Sequence, residues 1–129
     1  MPAVELERFE ELVRRALETL PDEIARRMDN VDIEVQEWPS AQQLVSARVG
    51  RGATLLGLYQ GIPLTNRTSG YNLVAPDRII IFQGPIERIA HGEDDLVDRV
   101  REVVVHEVAH HFGISDERLD EIERERRNR

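Results

Sequence analysis

The chain contains no cysteine and no lysine, and both absences exclude kinds of chemistry. Without cysteine, the 129 residues can form neither disulfides nor thiolate metal ligands, so a transition metal would have to be held by histidine and carboxylate groups. The 17 basic residues are all arginine, and 25 acidic side chains give a formal net charge of −8. This acidity argues against a nucleic-acid backbone as a partner, and we expect no nucleic-acid binding.

Long apolar runs are also missing from the sequence. Nowhere do 18 apolar residues follow one another, and the first residues show no basic region followed by an apolar stretch. These absences predict a cytoplasmic protein that does not contact a membrane. The length predicts one domain, residues 1–129, which would bury roughly two-thirds of the surface of the unfolded chain.

Hydrophobic periodicity predicts both helices and strands along the chain. Apolar residues spaced three or four apart, together with capping residues, predict helices over 4–20, 21–28, 41–47 and 85–90. A longer helix is predicted from Asp94 or Asp95 to Phe112. The last helix is predicted to begin at Ser115 or Asp116 and to fray from Arg124. Alternating or β-branched segments predict a strand over 31–35, an edge strand over 54–59 and a central strand over 78–82. The long helix that ends at Phe112 is apolar on most sides, so we expect it to be buried.

One segment, HEVAHHFGISD at positions 106–116, carries most of the functional information. His106 and His110 are four residues apart, so on a helix they lie only ~40° apart around the axis. Glu107 lies beside them, and Gly113 lets the chain turn back so that Asp116 can approach. This spacing predicts a catalytic zinc site with His106, His110 and Asp116 as the three metal ligands.

In such a site the metal activates a water molecule and polarises the carbonyl group of the substrate. Glu107 would accept the proton of the water as general base and pass it to the leaving amine. The predicted reaction is therefore amide hydrolysis without a covalent enzyme intermediate.

Several of these residues have simpler interpretations. Asp116 is also a good helix N-cap, so capping alone is an alternative to metal ligation. His111 points ~100° away from His110, which favours a supporting or surface position over ligation. His91 lies in a polar connection and is expected to be exposed. Among possible oxyanion-stabilising groups, the sequence offers Tyr59, Arg67 and Tyr71, the last two in or beside a polar loop over 65–72, and it positions none of them.

The segment resembles the metzincin-type signature HExxHxxGxx(H/D), and the whole chain is similar to the small bacterial family called minimal zincins. The likeness extends to FEELV at 9–13, LGLYQGIPL at 56–64 and PDRIIIF at 76–82. It implies an α+β fold with a small mixed sheet packed against a buried active-site helix. It also implies His106, His110 and Asp116 as zinc ligands and Glu107 as the catalytic base.

The chain departs from the larger zincins after the metal motif. Only 13 residues follow Asp116, and both methionines, Met1 and Met28, lie upstream, so the Met-turn of metzincins is missing. The specificity pocket must come from earlier segments, and residues 55–59 are the candidate edge for a substrate held as an added strand. The leading hypothesis is a zinc peptidase acting on peptides or unfolded protein segments. A catalytically weak zinc-binding module and a metal-dependent nuclease are the alternatives.

Overall fold

The computed structural model describes residues 1–48, 55–61 and 76–128. The helices within these ranges are α1 (Leu6–Glu18), α2 (Asp22–Ala25, continued by a 3-10 turn over Arg26–Met28), α3 (Ala41–Ser46), α4 (Gln83–Ile89), α5 (Glu93–Phe112) and α6 (Asp116–Arg127). The strands are β1 (Val31–Gln36), β2 (Gly57–Gln60) and β3 (Asp77–Phe82). In this part of the chain, no helix is long and apolar enough to cross a membrane.

The three strands form a mixed sheet in the order β1-β3-β2. β1 runs parallel to β3, with Ile33 opposite Ile79, and β2 runs antiparallel to β3, with Tyr59 opposite Ile79. The predictions of a central strand at 78–82 and of an edge strand over 54–59 are confirmed, the edge strand being observed at Gly57–Gln60. The edge strand begins at Gly57, and position 54 of the predicted strand lies outside the described residues.

Helix α5 packs against both the sheet and α1, and the hydrophobic core lies between them. Its valines supply a large share of the fully buried side chains, together with Phe9 and Leu12 of α1 and Ile79 and Ile81 of β3. The predicted α+β fold, with a small mixed sheet against a buried helix, is confirmed. Because this packing buries one side of α5, only the other side can carry a binding or catalytic site.

The start of α5 and the end of α6 differ from the predictions. Helix α5 has Gly92 as its N-cap, with no side-chain cap, and neither Asp94 nor Asp95 takes that position. Asp95 instead reaches back from the first turn, where its carboxylate accepts a hydrogen bond of 2.8 Å from the backbone N–H of His91. The second difference concerns α6, which continues to Arg127 instead of fraying from Arg124. Ion pairs such as Arg126 with Glu123, at 3.7 Å, accompany this extra helical turn.

Candidate functional site

The last turns of α5 carry His106, Glu107 and His110 on the side that faces away from the core. Val104, Val105, Val108 and Ala109 are buried on the opposite side, whereas both imidazoles are exposed and Glu107 is half-buried. Because the valines commit one face of the helix to the core, the histidines and the glutamate are directed toward solvent and toward β2.

The His106 ring is oriented by its own helix. Its Nδ1 atom lies 2.8 Å from the backbone oxygen of Glu102, one turn earlier. A carbonyl oxygen only accepts hydrogen bonds, so Nδ1 must carry the proton and Nε2 of the neutral ring keeps its lone pair. A hydrogen bond of this kind is what commonly orients a histidine that ligates a metal through its other nitrogen.

The Glu107 carboxylate is held by the edge strand. Its Oε1 atom accepts a hydrogen bond of 2.9 Å from the backbone N–H of Tyr59. The register explains why this N–H points outward: the N–H of Phe82 donates to Leu56, so Leu56, Leu58 and Gln60 direct their main-chain groups toward β3. The main-chain groups of Gly57 and Tyr59 therefore face the opposite way, along the edge of the described sheet beside α5.

The turn after α5 depends on Gly113, which adopts the left-handed conformation at φ 69° and ψ 29°. The N–H of Ile114 donates to the carbonyl of Ala109 at 2.8 Å, and the N–H of Gly113 donates to that of His110 at 3.4 Å. These two bonds form a Schellman motif, which ends the helix one turn after His110. The predicted reversal at Gly113 is confirmed.

We expect Gly113→Ala to destabilise the protein by about 1 kcal/mol, because a residue with a Cβ pays that cost in the left-handed conformation. A Cβ at this position would meet nothing within 4 Å, so the cost is one of backbone conformation and not of packing. Urea denaturation measures it. Gly113→Asn is the matched control, since asparagine tolerates this conformation better, and equal losses in both variants would contradict the explanation.

Asp116 is the first residue of α6 and is not its cap. Ser115 takes the N-cap position, and its Oγ accepts a hydrogen bond of 3.1 Å from the backbone N–H of Arg118. The alternative that Asp116 serves as the helix cap is therefore wrong. Its side chain is exposed, and its role as the third metal ligand stays a prediction.

Two clefts adjoin the motif residues. One, of about 270 Å³, is lined by Glu107 and His106 together with Leu56, Gly57, Arg99, Glu102 and Val103. The other, of about 250 Å³, is lined by Glu107 and His110 together with Tyr59 and His111. The structure thus brings Glu107 next to both imidazoles, whereas Asp116 lines neither cleft.

The donor groups fit zinc in their chemistry, since two neutral imidazoles and a carboxylate are ligands that zinc accepts. Nε2 of His106 is available for ligation, and Asp116 is not used as a cap. In the described parts of the chain, however, no three histidine, aspartate or glutamate side chains are arranged so that they could hold a metal ion. The ligand set of His106, His110 and Asp116 remains a prediction from the motif.

The sequence did not reveal the surroundings of His111. Its ring stacks on Tyr59 with a centroid distance of 4.0 Å, and its Nε2 lies 3.8 Å from Oδ2 of Asp77. The Tyr59 hydroxyl donates to the same Oδ2 at 2.7 Å. This bond competes with the suggested oxyanion role of Tyr59, while the other two candidates, Arg67 and Tyr71, lie outside the described residues.

Comparison with known proteins bears on the family and on the fold. A family profile described as zincin-like metallopeptidase matches residues 28–126. Among solved structures, a conserved hypothetical protein from Thermo thermophilus is similar, with a TM-score of 0.52 and 23% identity over 84% of this chain and 94% of that one. At this identity the likeness shows a shared fold and nothing more. No curated protein matches the chain.

The fold and the α5 motif define a zincin, a protein class built around a metal-binding HExxH helix beside a small sheet. The chain belongs to the zincin-like metallopeptidase family.

Proposed function

We propose that this protein is a zinc-dependent peptidase in which Glu107 is the general base. The observation that carries the proposal is the position of the Glu107 carboxylate, next to two imidazoles on α5 and 2.9 Å from the Tyr59 N–H on the edge strand. Family membership supports the same reaction class.

His106, His110 and Asp116 would hold the zinc ion. When bound, the ion supplies Lewis acidity, which polarises the carbonyl group of a substrate and makes a water molecule more acidic. Two features of the chain support zinc binding here. The Glu102 carbonyl orients the His106 ring, and the turn at Gly113 ends the helix just after His110. Asp116 would supply its carboxylate to the zinc ion from the first turn of α6.

Glu107 would move the proton. Because Oε1 is engaged by the Tyr59 N–H, proton transfer falls to the second oxygen, Oε2. That oxygen takes the proton of the attacking water and gives it to the leaving amine, so the carboxylate returns to its ionised state at the end of the cycle. The N–H bond keeps the carboxylate in one orientation during both transfers.

The edge of β2 suggests that the substrate is an extended peptide or an unfolded protein segment. The outward main-chain groups of Gly57 can pair with such a peptide as an added strand. Gly57 is needed for the close approach of α5, because a Cβ there would overlap Cγ1 of Val103. The adjoining cleft, with Leu56 and Val103 in its wall, offers space for an apolar substrate side chain.

The experiment is cleavage of unfolded casein by purified protein that has been loaded with zinc. We expect cleavage that a chelator such as 1,10-phenanthroline stops and that added Zn²⁺ restores, because the reaction depends on the metal. Product fragments are identified by mass spectrometry. Stoichiometric zinc without cleavage of casein or of a peptide library would overturn the proposal in favour of a zinc-binding module that holds a partner in the cleft.

A further inference from the structure

We infer that the side chain of Tyr59 is a positioning residue for Glu107, acting through the main chain of β2. The geometric part of this inference stands by itself, and its kinetic consequence rests on the proposed function. Tyr59 is the residue whose backbone N–H binds the Glu107 carboxylate, so whatever fixes Tyr59 also fixes the direction from which that carboxylate is held.

Contacts with Asp77, His111 and Phe112 hold the Tyr59 side chain in place. Its hydroxyl donates to Oδ2 of Asp77 on the central strand at 2.7 Å. Its ring lies almost parallel to that of His111, with 16° between the planes and 4.0 Å between the centroids. Phe112 meets the same ring edge-on at 6.3 Å. Tyr59 therefore joins three elements, namely β2, β3 and the last turn of α5.

The sheet register accounts for this arrangement. Tyr59 is opposite Ile79, so Asp77 is its diagonal neighbour on the same face of the sheet, within reach of a long side chain. Two residues further along the chain, Gly61 also lies against His111, since a Cβ there would be 3.2 Å from Cε1 of the His111 ring. The tyrosine hydroxyl can thus reach the central strand while its ring covers the end of the active-site helix.

The contacts of the Tyr59 side chain determine how firmly β2 is held beside Glu107. Among the described strands, the four-residue β2 pairs only with β3, and α5 packs beside it. The contacts of the Tyr59 side chain keep the outward N–H of this residue at a constant distance from Glu107. Without the hydroxyl bond, the ring loses its attachment to Asp77 on the central strand, and the carboxylate samples more orientations from which proton transfer is slower. Misplacement of a catalytic group by about 1 Å lowers rates by up to about 10²-fold.

The test is Tyr59→Phe, which keeps the ring stack and removes the hydroxyl bond to Asp77. We expect kcat for peptide cleavage to fall about tenfold, with KM changed by less than about twofold, because positioning of the base and not substrate binding is affected. In parallel, we expect the backbone amide of residue 59 to exchange with deuterium about tenfold faster, as measured by NMR.

Two further variants separate this role from a loss of stability. Thr19→Val removes another hydroxyl bond, from Thr19 to the Ala16 carbonyl at the end of α1, and we expect it to leave kcat unchanged. Glu107→Ala removes the acceptor itself, so we expect it to lose the exchange protection of the residue 59 amide. Protection that persists in Glu107→Ala would overturn the geometric part of the inference.

The outcomes distinguish the inference from the proposed function. If the wild-type protein cleaves no peptide, the proposed function is wrong, while amide exchange still tests whether Tyr59 holds Glu107. If the wild-type protein is active and Tyr59→Phe keeps full kcat and full amide protection, the inference is wrong and the proposed function stands. A fall in kcat equal to that of Thr19→Val would also overturn the inference.

Discussion

Glu107→Gln is expected to lower kcat for peptide hydrolysis by about 10³-fold, a general base contributing typically about 10² to 10⁴, while the zinc content stays unchanged. An amide cannot take up the proton of water, yet its oxygen can still accept the hydrogen bond from the Tyr59 N–H. The variant therefore keeps the local structure and loses only the proton transfer. Initial rates of casein cleavage, together with zinc content by elemental analysis, measure both effects.

Glu10→Gln is the control for the loss of one negative charge, because Glu10 is exposed on α1, which packs on the core side of α5. We expect it to keep the wild-type rate. A Glu107→Gln variant with full activity would contradict the assignment of Glu107 as the base. A variant that lost its zinc along with its activity would mean that Glu107 supports the metal and does not act beside it.

His110→Ala is expected to remove zinc from the protein, with an affinity loss of at least about 10³-fold, because one of only three protein ligands would be missing. His106→Ala should behave in the same way. Both imidazoles are exposed, so neither substitution should cost much stability in the absence of metal. Elemental analysis after dialysis, and displacement of zinc to a coloured chelator, measure the loss.

His91→Ala is the matched control, since His91 is also exposed and its contact with Asp95 is made by its backbone N–H, which alanine retains. Its zinc content should equal that of the wild type. The same measurement on Asp116→Ala tests the third ligand, and this change should remove zinc while α6 keeps its side-chain cap, Ser115. Stoichiometric zinc in His110→Ala would refute the predicted site.

Much of the local structure around the motif was predictable from the sequence. The spacing of His106 and His110, the valines before them and the glycine after them predicted a buried helix that ends at Phe112, which the structure confirms. Such features depend on residues within one or two helical turns, where apolar spacing and the conformational freedom of glycine decide the outcome. For the same reason the central strand was found from its run of isoleucines.

Contacts between distant segments were not predictable. The hydrogen bond between Glu107 and the Tyr59 N–H joins residues 48 positions apart, and no local sequence pattern predicts it. Gly57 lies within the predicted edge strand, where no local pattern indicates a partner for it, whereas the structure shows that it admits Val103 of α5. A glycine inside a strand often marks such a close approach, so the sequence did indicate one at Gly57. Which residue approaches could not be predicted from the sequence.

What the sequence by itself determined is the set of reactive groups: histidine and carboxylate donors in place of thiolates, a glutamate beside them, and a helix that presents them on one side. The reason is that composition and helical periodicity act within a few residues. Only the tertiary structure decided that the edge strand binds the glutamate and that Tyr59 joins this strand to Asp77. These arrangements arise because packing of α5 against the sheet brings together segments that the chain separates.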